Sequence, residues 1–252
     1  MRGAIGVSHV FLVPAHPTSL RRKMDSRMVS PLVLIDGLPG SGKTTLAYEL
    51  GAHLSNHVCK VDVLIETAPI HPLHPIPTDE IGAAWPNIHL VLSPDEFAHA
   101  SLALWRKLLF SHDTKSGLVI ESFPFQSAIR VLLQMDADQE TIEKYWRDWT
   151  YEVQFLEPQI IFLRSENPSQ LITDVAEIRG PQWQNYITQA VEQMPFSVQR
   201  CLSGWSAVQE FMTQYANLVD RLIEKRRVAI SILEAQPKDY NARLDLAISA
   251  LN

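Results

Sequence analysis

The chain has 252 residues, a length that suits one α/β domain or one such domain with an elaborated lid. Apolar content of 46% against 20% charged residues calls for a packed globule with a sizeable core. A net charge of −6 excludes a general nucleic-acid binder, because no basic excess exists to neutralise phosphates. Cys59 and Cys201 lie too far apart to make a metal quartet or a disulfide framework, so a reducing cytoplasm is expected. No apolar stretch reaches the ~18 residues of a membrane span.

Residues 1–30 differ from the rest. Arg2, Arg21, Arg22, Lys23 and Arg27 stand there against Asp25 alone. Val10–Val13 is too short for a secretory core, and an arginine-bearing transit peptide is the lesser alternative. The segment reads as a disordered extension, with Met24 and Met28 each able to begin the same domain. That domain is expected over 31–252.

Pro31 to Thr45 reads PLVLIDGLPGSGKTT: an apolar strand ending at Asp36, then G-x-x-x-x-G-K-[ST] without a mismatch. Glycines let the backbone turn so that successive N–H groups face phosphate oxygens, and the helix starting near Lys43 adds its positive end. The triphosphate-binding residues expected are Gly37, Leu38, Pro39, Gly40, Ser41, Gly42, Lys43, Thr44 and Thr45. Lys43 reaches the β- and γ-phosphates, and the Thr44 hydroxyl ligates Mg²⁺. Leu46, Leu50 and Leu54 step along one face of the helix.

His57 to Glu66 is expected as a second strand. Thr67 to Pro86, TAPIHPLHPIPTDEIGAAWP, is too proline-rich for helix or central strand, and the loop over 67–87 is assigned to an acceptor. Pro94 to Phe110 is helical, with Ser93 as N-cap. Leu118 to Ile120 is a buried strand ending in Glu121, followed by a helix from about Pro124 to Met135. Ile142, Tyr145, Trp146, Trp149, Val153 and Leu156 share one face of a long amphipathic helix stopped by Pro158, and both tryptophans belong to the core. Gln159 to Leu163 is a strand. Pro168 opens a helix that breaks at Arg179-Gly180-Pro181. Pro181 to Gly204 is read as irregular or partly helical, Trp205 to Leu222 as a long helix, Val228 to Leu233 as the last strand and Lys238 to Leu251 as a closing helix. The alternation implies an α/β fold: a mainly parallel five-stranded sheet between helices, with a lid at about 165–204.

Ligands in such sheets lie beyond the strands' carboxyl ends, where Asp36, Glu66, Glu121 and Arg164 fall. Glu121 is placed to hold Mg²⁺, or else to cap the next helix. Glu66 faces the acceptor and can take a hydroxyl proton, or else is a loop carboxylate paired with a basic neighbour. Arg164 contacts phosphate or forms a surface ion pair. Arg179 is an arginine-finger candidate against a helix-dipole cation, and Arg130 a weaker acceptor contact. His71 and His74 lack further ligands for zinc; they line the acceptor pocket or simply a surface loop. Trp85, Phe123 and Phe125 wall that pocket or belong to the core.

GLPGSGKTT, the strand ending in Glu66, VIESFPFQ from Val119 and PQIIFLRSENPSQLITDVAEIRG from Pro158 resemble, in this order, thymidylate kinase-like and deoxynucleoside kinase-like P-loop proteins. The likeness is strongest to a bacterial branch of P-loop ATP-binding proteins with an ES-x-FFQ-like segment. It implies a parallel-sheet kinase core with a lid, Glu66 as catalytic carboxylate, Glu121 as second acidic residue and Arg179 in the lid. Those kinases keep an arginine at or just after the acidic residue of the third strand, where this chain has Ser122 and Phe123. That departure tilts the expected acceptor toward an uncharged or apolar-faced hydroxyl compound, unless Arg130 or Arg164 compensates.

The expectation is an ATP- and Mg²⁺-dependent kinase of a small molecule, with Lys43, Glu66, Glu121 and Arg179 as catalytic residues and Thr44 and Glu121 at the metal. The alternative is a nucleotide-gated regulatory ATPase without an acceptor. No N-K-x-D segment supports a guanine-specific GTPase, though ATP against GTP as donor stays open. A small-molecule acceptor and at most a second copy of the chain are the partners expected, with neither nucleic acid nor membrane.

Overall fold

The computed structural model describes residues 32–68, 71–75, 87–112, 116–225, 228–235 and 240–251. The expected extension over 1–30, Trp85 and most of the loop over 67–87 lie outside the described residues. Among the described residues no helix is long and apolar enough to cross a membrane.

Five strands form one sheet in the order β2-β3-β1-β4-β5: β1 Leu32–Gly37, β2 Val61–Leu64, β3 Gly117–Glu121, β4 Gln159–Arg164 and β5 Ala229–Glu234. Every pairing is parallel. β1 lies at the centre with all its residues buried, as an apolar run in a sheet covered on both faces requires. Strand periodicity then divides the core. Leu32, Leu34, Leu118, Ile120, Ile160 and Phe162 belong to one cluster, while Val33, Ile35, Val119, Ile161 and Leu163 belong to the other.

The smaller cluster is closed by α1 (Lys43–His57) and α9 (Tyr240–Ala250) through Leu46, Leu50, Leu54 and Ala247. The larger is closed by α2 (Pro94–Ser111), α3 (Arg130–Gln134), α4 (Gln139–Val153), α5 (Pro168–Arg179), α6 (Pro181–Glu192), α7 (Pro195–Gln199) and α8 (Gly204–Glu224). Ser93 and Glu96 form a reciprocal capping box at α2, and Asp138 and Asn167 cap α4 and α5. Trp146 and Trp149 stack at 5.2 Å inside the larger cluster, the place their spacing assigns them.

Three local expectations are corrected. The stretch over 181–204 is mostly helical: Pro181 and Pro195 occupy first-turn positions, where proline starts a helix, and Val191, Met194 and Phe196 bury in the core with α8 residues. The strand expected from His57 shrinks to Val61–Leu64, because His57 completes α1 and Val58 caps it. The helix expected from Pro124 opens with a π-helical turn, Phe125–Ile129, before α3.

Candidate functional site

The loop from Gly37 to Gly42 joins β1 to α1 and ends at the positive end of α1. Gly40 has φ +81, and a Cβ there would run into Val175 of α5, so the loop is seated against that helix. On its other side Arg243 of α9, itself buried, donates to the Ser41 carbonyl at 2.8 Å.

Lys43 points into the protein. Its buried ammonium donates to the Leu38 carbonyl at 2.9 Å and to the Gln126 side-chain oxygen at 2.7 Å. An ammonium has three protons, so one remains for a phosphate oxygen. Burial pulls the Lys43 pKa down, while Glu121, Asp36 and Glu66 support its charge.

Two carboxylates stand beside it. Glu121, at the end of β3, accepts from the Thr44 hydroxyl at 3.1 Å, the Ser122 hydroxyl at 2.9 Å and the Glu66 N–H at 2.8 Å. Glu66, two residues beyond β2, accepts from the Gln126 amide at 2.5 Å and from the Ser127 hydroxyl at 2.8 Å. Each Glu66 oxygen thus keeps a lone pair for a further donor. Thr44 Oγ1 and Glu121 Oε1 sit side by side as hard oxygen donors. Two such donors suit a hard cation that also takes phosphate and water oxygens, as Mg²⁺ does.

Of the sequence candidates, Lys43, Thr44, Glu66 and Glu121 therefore meet in one hydrogen-bonded group. Arg164 does not join them; it pairs with Asp220 of α8 at 2.7 Å. Arg179 is exposed and lies over the Trp183 ring at 5.0 Å, one turn of α5 beyond Val175. Arg130 donates to the Gln126 carbonyl at 3.0 Å and to the Gln134 side-chain oxygen at 3.3 Å. Phe125 is core, edge-on to Phe162 and tilted against Trp146. Phe123 is buried as well, with the His71 ring stacked on it at 4.9 Å and the His74 ring stacked on His71 at 4.8 Å. Burial, with His74 beside it, pushes His71 down to about 3.

Sequence reasoning missed Gln126, Ser127 and Tyr215, and gave Asp36 no role. Asp36 is wholly buried and accepts from the N–H groups of Gly37 at 2.8 Å, Phe125 at 2.6 Å and Gln126 at 3.1 Å. It thereby fastens the turn carrying Gln126 to the start of the loop between β1 and α1. Burial pushes Asp36 up to about 7, against the pull of Lys43 and those N–H groups. A polar residue closing an otherwise apolar strand was the available signal for Asp36. Gln126 showed only as the end of the VIESFPFQ segment, with nothing to assign its partners, and Tyr215 carried no signal, since lone polar groups in apolar helical stretches have no period.

A cleft of about 250 Å³ lies past β4 and β5, lined by Arg164, Asn167, Asp174, Glu234 and their neighbours. Gln126, Glu66 and Lys43 meet instead beyond the ends of β2 and β3.

No protein-family profile matches the chain, and no curated protein sequence matches it. Among solved structures it is similar to the YorR protein of Bacillus subtilis, solved in complex with phosphorylated GDP, at 10% identity over 86% of this chain and 95% of the other, with a TM-score of 0.47. It is similar also to thymidylate kinase from Ehrlichia chaffeensis, at 12% identity over 87% and 96%, with a TM-score of 0.47.

Proposed function

We propose that the protein is a phosphotransferase that moves the terminal phosphoryl group of Mg·ATP onto a hydroxyl of a small molecule. The observation that carries this reading is the continuous hydrogen-bond path Thr44–Glu121–Glu66–Gln126–Lys43 at the end of the phosphate loop. It supports a metal position, a proton acceptor and a phosphate cation within a few side chains of one another. Phosphoryl transfer asks for little beyond positioning and charge neutralisation.

Gly37 to Thr45 hold the triphosphate, and the third proton of Lys43 goes to it. Thr44 and Glu121 hold Mg²⁺, which supplies further neutralisation at the phosphates. The nucleoside runs toward the cleft past β4 and β5, leaving the β2–β3 side, where Glu66 stands, to the acceptor; the acidic lining of the cleft suits ribose hydroxyls and base N–H groups better than phosphate. Glu66 takes the proton of the acceptor hydroxyl as that oxygen attacks the γ-phosphorus. Arg179 closes over the transferring group from α5, the lid role.

Transfer of labelled γ-phosphate onto a panel of nucleosides, nucleotides, sugars and hydroxylated metabolites tests the reading. Lys43→Ala is expected to abolish transfer with the fold intact, and Glu66→Gln to slow it by about 10²–10⁴-fold while sparing Mg·ATP binding. Undiminished turnover in Lys43→Ala would remove the assignment. ATP binding without transfer to any acceptor would favour a nucleotide-gated regulator.

A further inference from the structure

Ser41 and Gly42 share a peptide unit whose direction is set from the far end of the chain. The Ser41 carbonyl accepts from the Arg243 guanidinium of α9 at 2.8 Å, across 202 positions of sequence, and both residues are buried. Neighbouring carbonyls are held locally. That of Leu38 accepts from the Ser41 N–H at 3.1 Å and from Lys43 at 2.9 Å, and that of Gly42 accepts from the Leu46 N–H at 3.1 Å. Among the described residues Arg243 is the one hydrogen-bond partner of the Ser41 carbonyl.

The bond between Ser41 and Gly42 is trans, so its C=O and N–H point in opposite directions. A Ser41 carbonyl fixed toward α9 therefore turns the Gly42 N–H away from α9, and among the described residues that N–H has no hydrogen-bond partner. Gly42 sits at φ +90, and without a Cβ it lets the peptide unit before it rotate at little cost. Rotated by half a turn, the same unit would present its carbonyl oxygen where the N–H now stands, and that oxygen would repel a phosphate. The glycine that allows the tight turn thus leaves this unit without local restraint, and Arg243 supplies it.

We infer that Arg243 is a positioning residue for the nucleotide: by holding the Ser41 carbonyl against α9 it keeps the Gly42 N–H aimed at a phosphate oxygen of the bound Mg·nucleotide. It acts through the peptide unit, not by contact with the phosphates. A planar guanidinium suits the task better than the point charge of lysine on its flexible stem. Such coupling is reciprocal, so bound nucleotide in turn steadies α9. The inference rests on the nucleotide site of the phosphotransferase reading, and not on transfer itself.

The test uses the full chain with magnesium and ADP, which needs neither an acceptor nor transfer. Calorimetry reads Mg·ADP affinity in the wild type, Arg243→Met and Arg243→Lys, while NMR follows the Gly42 amide proton. In the wild type that proton should move downfield as Mg·ADP binds. Arg243→Met keeps an apolar stem and loses the donor. Its affinity for Mg·ADP should fall by about tenfold or more, and the Gly42 shift at saturation should shrink. Arg243→Lys should recover part of both. Hydrogen exchange on the wild type gives a reading free of any folding defect: the α9 amides should exchange more slowly once Mg·ADP is bound. An Arg243→Met variant that melts lower yet keeps wild-type affinity and an unchanged Gly42 shift would make Arg243 a structural group alone and overturn the inference. Exchange in α9 indifferent to Mg·ADP would overturn it too. Normal Mg·ADP binding without transfer to any acceptor would remove the phosphotransferase reading and leave Arg243 in this role. No Mg·ADP binding by the wild type would overturn both.

Discussion

Lys43 at the start of α1 and Glu66 beyond β2 are joined through one side chain: the Gln126 amide accepts from the lysine at 2.7 Å and donates to the carboxylate at 2.5 Å. The chemistry fixes that orientation, since ammonium only donates and carboxylate only accepts. The two side chains to which the proposed function gives the phosphate and the acceptor proton are therefore held at a set separation by a buried amide.

Gln126→Leu keeps the volume and removes both bonds. It leaves Lys43 and Glu66 each short of a partner, which should cost about 2–3 kcal/mol in stability. Turnover should fall further than Mg·ATP affinity, because Lys43 keeps its Leu38 contact and its proton for phosphate. Denaturant unfolding and calorimetry check the two parts. Equal losses in affinity and turnover would show that the amide acts on binding alone.

Glu121→Gln should raise the magnesium needed for half-maximal turnover by about 10–100-fold. The amide gives up a charged oxygen beside Thr44 Oγ1, or else turns its NH₂ toward the Glu66 N–H that Glu121 now accepts. A magnesium titration at fixed nucleotide reads this directly. An unchanged requirement would leave Glu121 as a cap on the following turn.

Gly40→Ala adds a methyl group toward Val175 at a φ of +81. Steric conflict and left-handed strain together should destabilise the chain by roughly 1–3 kcal/mol and weaken Mg·ATP. Adding Val175→Ala relieves the conflict while the strain stays, so stability should return only in part. Full recovery on thermal melting would mean that backbone conformation matters little there.

Asp36 and the histidine pair tilt the pH dependence of stability in opposite directions. Asp36 keeps a proton in the folded chain up to about 7 that an ordinary aspartate loses near 3.8, so its contribution falls as pH rises through that window. His71 stays neutral down to about 3, whereas an exposed histidine takes a proton near 6.5, so its contribution rises with pH. Each slope is at most about 1.4 kcal/mol per pH unit, and they offset one another between about 4 and 6. Burial lowers His74 as well, so across that range urea unfolding should find Asp36→Asn gaining stability with pH more steeply than the wild type and His71→Phe less steeply. Parallel slopes for all three would refute the shifted Asp36 proton.

Much of this protein was legible along the chain because its signals are local. Glycine, lysine and threonine at fixed spacing marked the loop between a strand and a helix, where β1 passes into α1. Strands show as apolar runs, helices as stripes with caps such as Ser93 and Glu96, and buried tryptophans as one face of α4. The break at Arg179-Gly180-Pro181 does end α5, but Pro181 is also the first turn of α6, in a stretch that read only as irregular or partly helical.

The tertiary structure decided which distant polar groups meet. β1 lies between β3 and β4, which sets Gln126 against Lys43 and Glu66 and carries Arg164 away to Asp220. Packing of α8 buries the Tyr215 hydroxyl in the larger cluster without a hydrogen-bond partner among the described residues. Period and propensity describe how a segment lies on a core, and they are blind to what stands across it. A hydrogen bond reaches only about 3 Å, so its partners are chosen by strand order and helix packing once the core has closed.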